Sequence, residues 1–217
     1  MSNSNAHRKE VVEKFCEACI WARTVRNHFS ALFEFNQRRL DLLEEVSAFF
    51  FHDLNIILIE YILLQLCKLT DPESTKVGKN WLDNLTTNYI LTLQWSPETL
   101  NALKIKNDEL MVFRSKIVDA RRKLIAHSDL RMHLESISLG DFSESDEFAF
   151  WAALQAFVDL AHSEAIDGPY PIDATMQGGD ALSLIHVLKD GVDYEAVVAD
   201  EEGFLLNRVG KRRYEDA

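Results

Sequence analysis

Two side chains in this sequence, Arg121 and His127, could together carry phosphoryl chemistry. An imidazole titrates near neutrality and can move a proton to or from a ribose 2′-hydroxyl or a leaving oxygen. A guanidinium beside it neutralises charge on the phosphoryl group in flight. That pair suffices for RNA cleavage without a metal, with the 2′-hydroxyl as nucleophile and a cyclic phosphate as product. One histidine supplies only one acid–base group, so a complete site needs a second group from elsewhere. Each residue also has a plainer reading. Arg121 can be a structural arginine paired with an acid of a neighbouring helix, and His127 can cap a helix C-terminus.

The element that must position the pair is a long helical segment. It starts at Ser96-Pro97-Glu98, a capping residue followed by proline. A register of alternating steps of four and three runs through Leu103, Asn107, Leu110, Arg114, Ile117, Arg121, Leu124 and Ser128, the seam spacing of a helix packed on neighbours. Arg114 and Arg121 thus fall on the buried stripe and need a carboxylate, an interface or a polar cleft. Asp53 and Glu60, which share a face of an earlier helix, are candidate partners, with the equal alternative that they reach solvent at the bundle edge. Arg122 and Lys123 fall off the stripe. On an ideal helix Arg121 and His127 lie about 120° apart, so convergence needs a loosened helix end or a second subunit. Ala126-His127-Ser128-Asp129 reads as that helix running out, since Ser and Asp compete for backbone hydrogen bonds.

The string Ala120-Arg121-Arg122-Lys123-Leu124-Ile125-Ala126-His127-Ser128-Asp129 resembles the Arg-x(4–6)-His motif of the HEPN superfamily of all-α domains, and in particular its abortive-infection branch, the AbiU-type HEPN proteins. Leu66-Cys67-Lys68-Leu69-Thr70-Asp71-Pro72 is similar to that branch's other recurring string, with Lys68 where an arginine is expected. The resemblance covers roughly residues 10 to 165. It implies a metal-independent endoribonuclease in phage defence or a toxin–antitoxin system. Arg121 and His127 would be catalytic, without cofactor or metal, and RNA, a homodimer partner completing the site and an antitoxin protein would be the partners. Ser128 and Asp129 would orient the imidazole, Arg122 and Arg131 would lie against substrate, and Asp53 would support the site from the neighbouring helix. One position departs from the pattern: Arg122 stands where a small polar residue is usual. A catalytically inactive HEPN dimer that binds RNA or a nucleotide, and a helical protein-interaction module, remain the alternatives.

Composition bounds these readings. The chain has 217 residues, 47% hydrophobic and 27% charged, with eight Gly and four Pro, which favours helices over a many-turned β fold. A formal net charge of −12 excludes broad electrostatic binding of nucleic acid, so any RNA contact must be local. Positive charge gathers at Arg114, Lys116, Arg121, Arg122, Lys123 and Arg131, and none occurs from Met132 through Leu188. The cysteines, Cys16, Cys19 and Cys67, are odd in number, and the start lacks a secretory apolar core, so free thiols in a reducing cytoplasm are expected. Cys16 and Cys19 lack a second pair for a metal.

The fold class expected is all-α, an antiparallel HEPN-like bundle of four main helices in residues 1–167 with a small appendage in 168–217. Helices are read over about 8–33, 38–69, 97–127 and from Ser143 or Ser145 onward. The second is the most apolar, yet His52, Asp53, Asn55, Glu60 and Gln65 interrupt it, so it is read as a central buried helix rather than a membrane span. Asp71-Pro72 can start a short helix, and Asn80-Trp-Leu-Asp-Asn-Leu suggests another. Gly168-Pro169 marks a boundary. Beyond it, a short helix from Asp180 is followed by Tyr194-Glu-Ala-Val-Val and Phe204-Leu-Leu, which can be read as a β-hairpin turned at Gly203.

Overall fold

The computed structural model describes residues 2–120, 142–173 and 179–200. Along the chain these form α1 (Ser2–Phe33), α2 (Gln37–Leu69), β1 (Ser74–Val77), β2 (Asn80–Asp83), α3 (Thr87–Leu91), α4 (Pro97–Ala120), α5 (Glu144–His162), a π-helical turn (Ser163–Asp167) and α6 (Ala181–Asp200). The class is all-α, and the β1–β2 hairpin is the only sheet among the described residues. Two compact units divide the chain: Met1–Arg26 with Ile57–Thr175, and Asn27–Ile56 with Met176–Ala217.

The first unit is a helical bundle built from apolar faces at steps of three and four. Val12, Phe15, Cys19 and Ala22 of α1, Leu63, Leu66 and Cys67 of α2, Leu103, Leu110 and Ile117 of α4, and Phe150, Leu154, Phe157 and Ala161 of α5 are all buried. The rings of Phe15 and Phe157 meet edge-on at 5.9 Å, and those of Phe113 and Phe150 lie 5.0 Å apart, joining α1 to α5 and α4 to α5. Both long helices begin where cap chemistry dictates. The Ser96 hydroxyl accepts from the Thr99 N–H at 3.3 Å. Ser143 and Asp146 form a reciprocal capping box at the start of α5.

In the second unit the last turns of α1, the first half of α2 and α6 bury Ala31, Leu32, Leu43, Phe51, Ala181 and Ile185. Inside α2, Ser47 has non-helical angles (φ −166°, ψ 77°) that break the helix in two.

Three expectations need correction. The apolar helix α2 is not buried on most sides: only 17% of its most apolar window is covered, and Phe49, Phe50, Ile56 and Ile57 are exposed. By length and composition it could cross a membrane. Periodicity reports how apolar a face is and leaves open what covers it.

Residues 80–85 do not form a short helix, nor does Asp71-Pro72 start one. Ser74–Val77 pairs antiparallel with Asn80–Asp83 across a two-residue turn at Gly78-Lys79. Gly78 at φ +62° supplies the left-handed backbone that such a turn needs. The Asn84 side chain ties the open end by donating to the Pro72 carbonyl at 2.9 Å and the Thr75 hydroxyl at 2.7 Å.

Finally, Tyr194 to Val198 are helical, not a strand, because α6 runs unbroken through Gly191. A lone glycine weakens a helix by about 1 kcal/mol without ending it. Gly203 and Phe204-Leu-Leu lie outside the described residues.

Candidate functional site

The sequence register of α4 is carried by the structure up to the motif. Leu103, Asn107, Leu110 and Ile117 are buried, and Arg114 is largely covered, so the stripe that continues in sequence to Arg121 is the packed face of the helix. Arg121, Arg122, His127, Ser128, Asp129 and Arg131 lie outside the described residues. What the structure describes is the support on which the motif follows.

That support is polar at three levels of the stripe. At its base, Glu164 of the π-helical turn accepts from the Ser96 N–H at 2.9 Å and the Ser96 hydroxyl at 2.8 Å, and pairs with Arg8 of α1 at 3.1 Å. Burial pushes the Glu164 carboxyl up. Hydrogen bonds from Thr99 and Ser96 and the charge of Arg8 outweigh it, and the net shift is downward. Arg8 also lies over the Trp95 ring, 5.1 Å from its centre.

Midway, Asn107 donates to the Asn88 side-chain carbonyl at 3.1 Å, and Asn88 in turn donates to the backbone carbonyls of Thr70 at 3.2 Å and Asp71 at 2.9 Å. Thr70 is fully buried and its hydroxyl donates back to the Leu66 carbonyl at 2.8 Å. The end of α2 is thereby fixed against α4.

At the third level, Arg114 Nη2 donates to Asp71 Oδ1 at 2.9 Å, with both side chains 17% exposed. Two residues on, Lys116 reaches Asp146 at 2.7 Å. That hydrogen bond, with those from the Ser143 backbone and hydroxyl, pulls the Asp146 carboxyl down to about 2.

The acid chosen by Arg114 is a correction at the site. Asp53 and Glu60 were candidate partners, with exposure to solvent as the alternative. Asp53 is instead exposed on α2, and Glu60 is half-buried. Asp71 lies just past the end of α2, where the sequence offered only an Asp-Pro cap signal and no periodic face to place it on. It belongs to the string Leu66-Cys67-Lys68-Leu69-Thr70-Asp71-Pro72, so this segment and the helix leading to the motif are joined by an ion pair. Asn88 and Glu164 carried no motif that would have singled them out.

Among the described residues no group of three or more His, Cys, Asp or Glu could hold a metal ion. Cys16, Cys19 and Cys67 are buried. Burial pushes the Cys16 thiol up to about 12 and the Cys19 thiol well above its ordinary value, so neither is a nucleophile at neutral pH.

Compared with known proteins, the chain matches the family model HEPN_AbiU2, described as AbiU2, over residues 5–181. No curated protein and no solved structure matches it. The matched span takes in both strings, the Arg114–Asp71 pair and all of the first unit except its first four residues. The chain therefore belongs to the AbiU2 family of HEPN domains.

Proposed function

We propose that this HEPN domain is a metal-independent endoribonuclease of the abortive-infection type, with Arg121 and His127 as its catalytic pair in a cleft completed by a second copy of the chain. The observation that supports the reading is the packed register of α4, whose buried positions Leu103, Leu110 and Ile117 have the spacing that the sequence continues to Arg121, in a chain that belongs to the AbiU2 family. His127 transfers the proton at the 2′-hydroxyl or the leaving oxygen, and Arg121 offsets the charge on the phosphoryl group. Ser128 and Asp129 orient the imidazole, and Arg122 and Arg131 contact the RNA backbone. Asp53 is exposed on α2 and supports this reading only if it meets RNA or the second copy. The setting is phage defence or a toxin–antitoxin pair in the cytoplasm, with an antitoxin protein as the further partner.

The test is RNA digestion by the purified chain in chelator, comparing wild type with His127→Ala. Loss of cleavage with an unchanged thermal melt supports the reading, and undiminished cleavage by the variant overturns it. A second reading, a dimer that binds RNA or a nucleotide without cutting it, is favoured by Arg122, a cation at a position where a small polar residue is usual. Blank digestion with a positive RNA-binding titration selects it.

A further inference from the structure

Every strand residue of the β1–β2 hairpin except Ser74 is exposed, on both faces of the ribbon. Two strands of this length are marginal by themselves in water, and this pair is held from its root. The Asn84 side chain bonds the Pro72 carbonyl and the Thr75 hydroxyl, and the Asn84 N–H donates to the Glu73 carbonyl at 2.8 Å. Such an anchorage fixes the ribbon and leaves its faces open.

The two faces differ in chemistry. The register sets Lys76 opposite Trp81 and Ser74 opposite Asp83, so these four share one face, while Thr75, Val77, Asn80 and Leu82 share the other. Trp81 is 65% exposed. At about 250 Å² for a tryptophan, roughly 160 Å² of it stands in water. Lys76 is the cation directly across from it, and Lys79, also exposed, lies in the turn two residues before it. No acid occurs from Lys76 to Leu82, and the nearest ones, Glu73 and Asp83, lie at the root end. The tip of the ribbon therefore joins an open aromatic plane to two ammonium groups in a chain whose net charge is −12. A ligand that is both flat-ringed and anionic complements that combination. Nucleobases stack on an indole whatever their sequence, and lysines meet the phosphates between them.

We infer that Trp81, Lys76 and Lys79 hold a short single-stranded stretch of RNA, with a base stacked on the indole and the flanking phosphates on the two ammonium groups. The choice of RNA rests on the nuclease reading above, whereas the surface itself does not depend on the cutting step. A double helix fits less well, since its bases are already stacked on one another and offer the ring no open face. The opposite face, with aliphatic Val77 and Leu82 and no cation, is the one suited to a protein surface. Position gives the contact its use. Asp71, three residues before β1, pairs with Arg114 of α4 at 2.9 Å, and Asn88, just after the hairpin, donates to the Asp71 carbonyl at 2.9 Å. The root of the ribbon is thus tied to the helix whose sequence continues to Arg121 and His127, so a strand held by Trp81 is held relative to that helix. The hairpin is a substrate-positioning element outside the motif, and its contact is local, as the net charge demands.

The experiment is a fluorescence-anisotropy titration of labelled oligoadenylate with the full chain in chelator, on the His127→Ala background so that the strand stays whole. Trp81→Ala is expected to weaken binding about 5- to 150-fold, and Trp81→Phe to recover most of it, because a phenyl ring still stacks. Lys76→Ala with Lys79→Ala is expected to reduce the slope of log affinity against log salt by about 1.4, two phosphates at about 0.7 each on a single strand. Val77→Ser with Leu82→Ser, on the opposite face, is expected to change neither quantity. Substitutions at exposed positions seldom move stability, and thermal melts matching the parent secure the comparison. An affinity unmoved by Trp81→Ala overturns the inference while leaving a wild type that cuts RNA a nuclease. Binding that responds to Trp81 beside blank digestion by the wild type upholds the inference and sinks the nuclease reading. A chain that binds no oligoadenylate, or one that loses it only through Val77 and Leu82, also overturns the inference, and a protein found on the hairpin in that case takes the face instead.

Discussion

Arg114 of α4 and Asp71 at the end of α2 form a hydrogen-bonded ion pair at 2.9 Å with both side chains largely withdrawn from water. It joins the string that ends at Asp71-Pro72 to the helix that precedes the second string, seven residues before Arg121 in sequence. Removing one member takes this partner from a largely covered charge, so Asp71→Asn or Arg114→Met should destabilise the fold by about 1–3 kcal/mol. For a chain of this size that is about 2–4 °C of Tm per kcal/mol. The double variant should lose less than the sum of the singles. Strict additivity in thermal melts would show that the pair is not coupled.

Asp146 gives a pH prediction. Its carboxyl is held down at about 2 by the Lys116 hydrogen bond and the cap at Ser143, against an ordinary value near 3.8. A group with a lowered folded-state pKa binds its proton more readily when unfolded. Its stabilisation is therefore complete above about pH 4 and drains away as pH falls towards 2. Asp146→Asn should melt below wild type at pH 7, and the gap should narrow between pH 4 and pH 2. A gap that does not change with pH would remove the electrostatic explanation.

The three cysteines should be silent in the native protein. With Cys16 pushed up to about 12, Cys19 raised well above its ordinary value by burial, and Cys67 fully enclosed, a thiol reagent at pH 8 should modify none of them until denaturant is added. Rapid labelling of one equivalent in native buffer would contradict the packing of α1 against its neighbours.

His127→Ala should lower RNA cleavage by at least about 100-fold, the usual contribution of a positioned acid–base group. Arg121→Ala should do the same, and Arg121→Lys should recover only part, since an ammonium cannot offer the forked donor geometry. Equal activity of the Lys and wild-type proteins would leave Arg121 as a plain positive charge.

Helix starts were legible because they are local: Ser96-Pro97 and Ser143 with Asp146 each use a side chain to satisfy the first N–H groups, and the structure begins α4 and α5 there. The faces of α1 and α4 were legible because burial imposes a period. The hairpin at residues 74–83 was not, since two strands of four residues carry little alternation and Gly78 was their main signal. The far half of α6 was misread because Val197-Val198 suits a strand when its helical run from Ala181 is ignored. The partner of Arg114 was missed for a different reason. Asp53 and Glu60 had the right spacing on the right kind of helix, while Asp71 sits just beyond its end, where spacing says nothing. The motif residues themselves, Arg121 and His127, were legible as residue types and as a family string, and their geometry lies outside the described residues.

The fastenings of α4 follow one another from Glu164 at Ser96, through Asn88 at Asn107, to Asp71 at Arg114 and Asp146 at Lys116. A rod clamped at four heights cannot roll about its own axis or slide along it without breaking several bonds together. Such a rod passes a displacement at one clamp to the others, so loosening one should weaken hydrogen-exchange protection along the whole of α4 and not only beside the lost bond.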